Sequence, residues 1–236
     1  MRQIEVLGIP ITDYTAKEAV RRSTGFLANS ALEIIYLVSM NSFMEAENSP
    51  EHKEYLTDID LMVCDDVELL PYFEADTKER REEIETSVFT REFIKRLVRA
   101  NKKILVVADA KNIATVVERL KSVNERANII KIIEYSEEMQ VEDLINDINA
   151  EEPDAVFSKL PPKAVYEFAC ANKNSINAEV WFALNYDKAT RPKKTGRLIA
   201  WVEKHLSKKA FSDKVTEYKN VENEQVAEEE NSEKNE

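Results

Sequence analysis

The apolar positions of this chain change period along its length, and each change marks an element. IEVLGIPI, from Ile4 to Ile11, is apolar and β-like. Thr15 then stands where it can cap a helix from Ala16 to Leu27, with Glu18 three residues on as its capping-box partner. EIIYLVS, from Glu33, is a short continuous apolar run of the kind that parallel sheets bury on both faces. A polar helical stretch follows to Tyr55, then the strand-like LMVC from Leu61 and a helical pattern from Val67 to Phe73. DTKERREEIETS, from Asp76 to Ser87, is almost wholly polar and predicts a loop or mobile excursion. Thr90 is expected to cap a helix striped by Phe93, Ile94, Leu97 and Val98.

From Lys103 the alternation becomes regular. KILVVAD, NIIKIIEY, DAVF and EVWFAL read as strands. Between them lie a helix striped by Ile113, Val116, Val117 and Leu120, a second from Val141 to Ile148, and a third that Pro162 opens. Strand and helix alternating over short connections predict an α/β fold, a Rossmann-like and mostly parallel sheet with helices on both faces.

Length adds a boundary. The 236 residues suit one α/β domain over 1–187 with something appended, since domains commonly run to about 100–200 residues. Lys188 to Lys209 carries eight Lys or Arg against one Glu, whereas Ser212 onward carries nine acids against three bases. These segments predict a basic amphipathic C-terminal appendage over 188–211 and an acidic, disordered tail over 212–236. The net charge of −12 argues against nucleic acid as a partner. Cys64 and Cys170 are too far apart in sequence for a CxxC pair, so neither a disulfide framework nor a zinc site is expected. No apolar run has the length of a signal peptide or a membrane span, which predicts a cytoplasmic protein. The chain has three glycines, about one-fifth of ordinary usage.

The candidate chemistry sits at strand ends. Ligands of parallel sheets gather outside the carboxyl ends of the strands. Asp65 and Asp66 follow LMVC, Ser39 and Asn41 follow EIIYLV, Asp109 follows KILVVA, and Asn185 with Asp187 follows EVWFAL. Capping alone accounts for some of these residues, Asp66 above all.

The stretch VSMNSFMEAENSPEHKEYLTDIDLMVCDDVELL, together with the opening VLGIPITDYTAKEAV, resembles the WecG/TagA/CpsF family of bacterial glycosyltransferases. That family typically reads T-x-N, a helix with a D-P-E-like turn, and A-D-L-V-x-P-D-G at the next strand end. The resemblance extends, more weakly, to Phe211. It implies a Rossmann-like fold and transfer of an N-acetylhexosamine, commonly N-acetylmannosamine, from a UDP-sugar to a polyprenyl-diphosphate-linked sugar. Teichoic acid, common antigen or capsule would be the product, and the enzyme would lie against the inner face of the bacterial membrane. Asp65 stands at the aspartate of P-D-G, the general base of the family. Ser39 replaces its threonine and Asn41 matches its asparagine, both for substrate hydroxyl or phosphate groups, with Asp66 beside them. Pro162 and Lys163 match the P-K of G-x-P-K-Q-E, where a lysine would balance the UDP diphosphate. Tyr186 and Asp187 resemble the F-D of G-G-S-F-D. Arg191 and Arg197 fall in the appendage from which the family brings arginines to the site.

The departures are specific. P-D-G is Cys64-Asp65-Asp66, the paired glycines after the next strand are Ala108-Asp109, Q-E is Ala164-Val165, and the last G-G is Ala183-Leu184. Glycine at such places supplies positive φ or lets a ligand approach the backbone, so the pocket is expected to be reshaped. A catalytically inactive relative that acts as a binding or scaffold partner is the rival reading.

No metal or cofactor is expected. Asp58-Ile59-Asp60 spells DxD but precedes its strand, which favours a helix-end or turn role. His52 and His205 lack ligand partners at helical spacing. In GRLIAWVEKHLSKKAF, Leu198, Trp201, Val202, His205 and Leu206 form one stripe. The helix either packs on the body or meets the membrane surface through Arg197, Trp201, Lys204 and Lys208.

Overall fold

The fold is taken from a computed structural model, which describes residues 2–28, 31–187, 208–221 and 223. Six parallel strands form the sheet: β3 (Glu33–Val38), β4 (Leu61–Cys64), β5 (Ile104–Asp109), β6 (Ile129–Tyr135), β7 (Ala155–Lys159) and β8 (Val180–Ala183). Their order is β4-β3-β8-β7-β5-β6, the expected α/β fold. The chain starts at β3, runs out to β4, restarts at β5, and returns through β7 and β8. β8 closes against β3, with Ile34 opposite Trp181. The strand order therefore reverses within the sheet.

Period-two alternation sends successive side chains to opposite faces. Ile34, Tyr36, Val38, Met62, Cys64, Leu105, Val107, Val156 and Trp181 belong to one core. Ile35, Leu37, Leu61, Val63, Ile104, Val106, Phe157 and Phe182 belong to the other. The first core is roofed by α2 (Met40–Glu47), α3 (Pro50–Thr57), α7 (Val141–Glu151) and α8 (Pro162–Val165), the last running into a π-helical turn, Tyr166–Cys170. The second is roofed by α1 (Ala16–Ser23), α5 (Val88–Arg99) and α6 (Ala110–Val123). Phe157 and Phe182 stack at 4.8 Å, and Phe93 lies 5.1 Å from Phe182. This aromatic column sits directly below the strand ends.

Several local expectations hold and others change. Thr15 caps α1 with the full capping box, accepting from Glu18 N while Glu18 accepts from Thr15 N. IEVLGIPI is two antiparallel strands, β1 (Arg2–Val6) and β2 (Ile9–Asp13), joined by Leu7 and Gly8, both at positive φ. That is the two-residue turn that matches strand twist. Val67 to Phe73, expected as a helix, forms successive turns. The polar excursion contains a helix instead, α4 (Lys78–Glu85), because Arg80 is buried and pairs with Asp13 at 2.7 Å and Glu83 at 2.6 Å. A buried ion pair of this kind ties the segment to β2 where apolar periodicity is absent. α5 begins two residues before Thr90, after Ser87, and Thr90 is buried within it.

Residues 212–221, expected to begin the disordered tail, are helical and continuous with 208–211. Phe211 is fully buried, 5.0 Å from the Tyr72 ring and 6.5 Å from Phe43, and Val215 and Tyr218 pack beside it. Three apolar residues at helical spacing outweigh the acidic composition. The helix rests on the hairpin turn, where a Cβ on Gly8 would run into the Tyr218 hydroxyl. Arg191, Arg197, Trp201 and Lys204, with the stripe from Leu198 to Leu206, lie outside the described residues, as does 224–236. No helix among the described residues is long and apolar enough to cross a membrane.

Candidate active site

The carboxyl ends of β3, β4 and β8 bring three of the predicted groups together. Ser39, one residue past β3, donates from Oγ to Asp187 Oδ2 at 3.1 Å, and Asn41 Nδ2 donates to Asp187 Oδ1 at 3.1 Å. Asp187 is itself placed by its N–H on Asn185 Oδ1 at 3.0 Å. Ser39 also receives the reciprocal cap of α2, its N–H donating to Ser42 Oγ at 3.1 Å. Asp187, Ser39 and Asn41 thus form one polar cluster from elements about 150 residues apart in sequence, built by the β3–β8 pairing.

Asp65 and Asp66 diverge although they are neighbours. Asp66 accepts from Met40 N at 3.3 Å and from Glu68 N at 3.0 Å, so both its oxygens hold backbone at the strand end. Asp65 extends β4 by one residue, its N–H donating to Val38 O at 3.1 Å. Asn185 Nδ2 donates to its carbonyl at 3.1 Å. Its side chain is buried, with only 6% of the residue exposed, and falls on the α1/α5/α6 face with Leu37, Val63 and Phe89.

Sequence reasoning missed the cations on this face. Lys159 ends β7 in phase with Ala155 and Phe157, and only 3% of it is exposed. Desolvation and the neighbouring Arg119 guanidinium push its ammonium down to about 8, against the opposing pull of Asp109, Asp187 and Asp65. Arg119, from α6, donates to Ser87 Oγ. Burial lowers its pKa and the Asp65 carboxylate raises it. The signal for Lys159 was available: a lysine in phase with the buried set of an apolar strand. Arg119 is one residue short of Leu120 in the stripe and gave no such signal.

The remaining positions are more peripheral. Tyr186 donates to Asp109 Oδ2 at 2.8 Å, and Lys111 lies 4.7 Å above its ring. Burial, more than the bond to Asp109, raises the Tyr186 pKa. Asp109 also caps α6 through Asn112 N. Pro162 is buried at the head of α8, whereas Lys163 is exposed there and meets Glu167 at 3.6 Å. Lys208 pairs with Glu68 at 2.6 Å, just beyond the β4 end. In the DxD triplet, Asp58 ends α3, while Asp60 accepts from Ile34 N at 2.7 Å and pairs with Lys173 at 2.6 Å. Its carboxylate anchors the start of β3, as a turn role requires. Among the described residues no three His, Cys, Asp or Glu side chains are grouped to hold a metal ion.

A cavity of about 20 Å³ touches Asp65, Arg80, Ser87 and Thr90. That is room for one water, which needs roughly 10–15 Å³, and not for a sugar. A roomier groove between α1 and α5, lined by Lys17, Val20, Arg21 and Arg96, contains no strand-end residue.

The parallel α/β sheet carries a buried carboxylate, two basic groups and a hydroxyl–carboxylate cluster at the carboxyl ends of its strands. Residues 4–185 match the model of the glycosyl transferase WecG/TagA/CpsF family, most of the chain, and the chain belongs to that family. A comparison with curated proteins gave no match.

Proposed function

We propose that this glycosyltransferase moves an N-acetylhexosamine, with N-acetylmannosamine the first candidate, from a UDP-sugar to a polyprenyl-diphosphate-linked acceptor at the inner face of the bacterial membrane. Asp65 carries the reading. It is a buried carboxylate at a strand end, at the family's base position, with Arg119 and Lys159 on the same face of the sheet. In the proposed step its oxygen takes the proton of the acceptor hydroxyl as that oxygen attacks the anomeric carbon. The C1–O bond to the diphosphate breaks with its electron pair, UDP leaves, and the configuration inverts. Ser39, Asn41 and Asp187 bind substrate hydroxyl groups by exchanging their mutual hydrogen bonds for bonds to sugar, and Tyr186 borders them. Pro162 sets the head of α8. Lys163 reaches the diphosphate, since an exposed i,i+4 pair with Glu167 holds it by only a few tenths of a kcal/mol. Asp66 keeps the strand end in shape. Arg191 and Arg197 approach the site, and Trp201, Lys204 and Lys208 meet the lipid surface.

The small cavity at Asp65 supports a second reading, a non-catalytic relative that serves as a scaffold in cell-envelope synthesis. Ala183 and Leu184 are both buried where the family pattern has glycine. Calorimetric titration with UDP, UDP-N-acetylmannosamine and UDP-N-acetylglucosamine decides between them. Saturable binding, followed by transfer that Asp65→Asn abolishes, upholds the enzyme. A folded protein that binds none of the three is the scaffold.

A further inference from the structure

The polar contacts of Ser39 do not end at Asp187. Behind it lies Ser42, of which only 1% is exposed. Ser42 Oγ accepts from Ser39 N at 3.1 Å, lies 3.4 Å from Ser39 Oγ, and donates to the Tyr36 hydroxyl at 3.1 Å. The Ser42 carbonyl accepts from the Tyr166 hydroxyl at 2.7 Å. Tyr36 and Tyr166 are both buried and meet edge to face, with ring centroids 6.1 Å apart. A line of hydroxyl groups thus runs from the Asp187 carboxylate through Ser39 and Ser42 to Tyr36, in the middle of β3. Buried hydroxyls cost free energy unless their hydrogen bonds are made. Capping α2 needs only the bond from Ser39 N and leaves the Tyr36 hydroxyl without a purpose.

The protons along this line are few and their order is constrained. A hydroxyl has one proton and two lone pairs. Ser42 gives its proton to Tyr36, which leaves both its lone pairs for Ser39. One takes the Ser39 N–H, and the other faces the Ser39 hydroxyl. Ser39 gives its own proton to Asp187 Oδ2. When a sugar hydroxyl donates to Asp187, the Ser39 proton is displaced, and Ser42 Oγ is the acceptor next to it. The Ser39 oxygen then turns its lone pairs to the sugar. We infer that Ser42 and Tyr36 are positioning residues for sugar recognition: Tyr36 holds the Ser42 proton away from Ser39, and Ser42 receives the Ser39 hydroxyl when Asp187 exchanges Ser39 for a substrate hydroxyl. The inference rests on the reading of Ser39, Asn41 and Asp187 as the sugar-binding cluster.

The test is calorimetric titration of the full chain with UDP, UDP-N-acetylmannosamine and UDP-N-acetylglucosamine, since the line acts on the sugar and not on the nucleotide. Tyr36→Phe removes one oxygen and leaves the cap of α2 in place. It is expected to weaken the better-bound UDP-sugar about three- to tenfold and to leave UDP unchanged. Ser42→Ala should weaken that UDP-sugar at least as much. In a Ser39→Ala background the loss from Tyr36→Phe should vanish, because Tyr36 acts through Ser39. A folded Tyr36→Phe variant that binds the UDP-sugar as the wild type does, or that loses UDP and UDP-sugar affinity alike, overturns the inference. So does a loss that persists undiminished in the Ser39→Ala background. If Tyr36→Phe fails to fold, Ser42→Ala decides with the same ligands. A wild-type chain in which neither sugar adds to the affinity for UDP sinks the reading of the cluster as sugar-binding before any variant is made, and the inference with it.

Discussion

The two faces of the sheet treat neighbouring aspartates in opposite ways. On the α2/α3 side, Asp66 spends both carboxylate oxygens on the backbone of Met40 and Glu68. On the α5/α6 side, Asp65 is buried against a small cavity, with Arg119 and Lys159 on the same face of the sheet. Residue type does not distinguish them. What does is the pleat, which sends consecutive side chains of a strand end to opposite layers. The face with backbone donors uses its acid for shape, and the face with basic groups holds the acid proposed as the base.

The sharpest way to break this comparison is to neutralise each acid in turn. Asp65→Asn should lower transfer by roughly 10²–10⁴-fold. Asp66→Asn should instead cost about 1–2 kcal/mol of stability and less than about tenfold in rate. Equal losses of rate in the two variants would erase the distinction between the faces.

Next in size is the charge on Lys159. Its pKa in the folded protein, about 8, lies below the ordinary 10.5, so unfolding takes up protons between those values. The penalty on the folded state is therefore full below pH 8 and fades as pH rises towards 10.5. Lys159→Met should melt above the wild type at pH 7, a gain of about 1–3 kcal/mol, and the gain should shrink by pH 10. A variant that melts lower at pH 7 would mean that Lys159 stabilises the fold and is not stored cost. Last comes Lys163→Met, which should raise KM for a UDP-sugar several-fold and leave kcat nearly unchanged. A large fall in kcat would move Lys163 into the chemical step.

Much of the sheet was legible because buried strands announce themselves as apolar runs. LMVC, EIIYLV, KILVVAD and EVWFAL each lie where their patterns put them, within one or two residues. The exceptions share one cause. α4 has no apolar stripe and is tied down by Arg80, whose partners Asp13 and Glu83 cannot be inferred from spacing. The helix over 208–221 has acidic composition but docks through Phe211 and Tyr218 against residues some 140 to 210 positions earlier. In both, a long-range contact overrides a local signal.

The candidate site divides in the same way. Strand-end position together with the family motif marked Ser39, Asn41, Asp65 and Asp187, and the β3–β8 pairing puts Ser39, Asn41 and Asp187 in contact. Lys159 and Arg119 belong to no motif that was read, since their significance is a matter of what surrounds them.

The sequence by itself determined the α/β class, the order of most elements and the rim on which the acids lie, because periodicity and strand ends are local properties of a chain. Only the tertiary structure decided which of two adjacent aspartates is buried on the face with basic groups and which holds a turn. Burial and charge neighbourhood are sums over groups distant in sequence, and they exist once β7 and α6 have closed over the same face as β4.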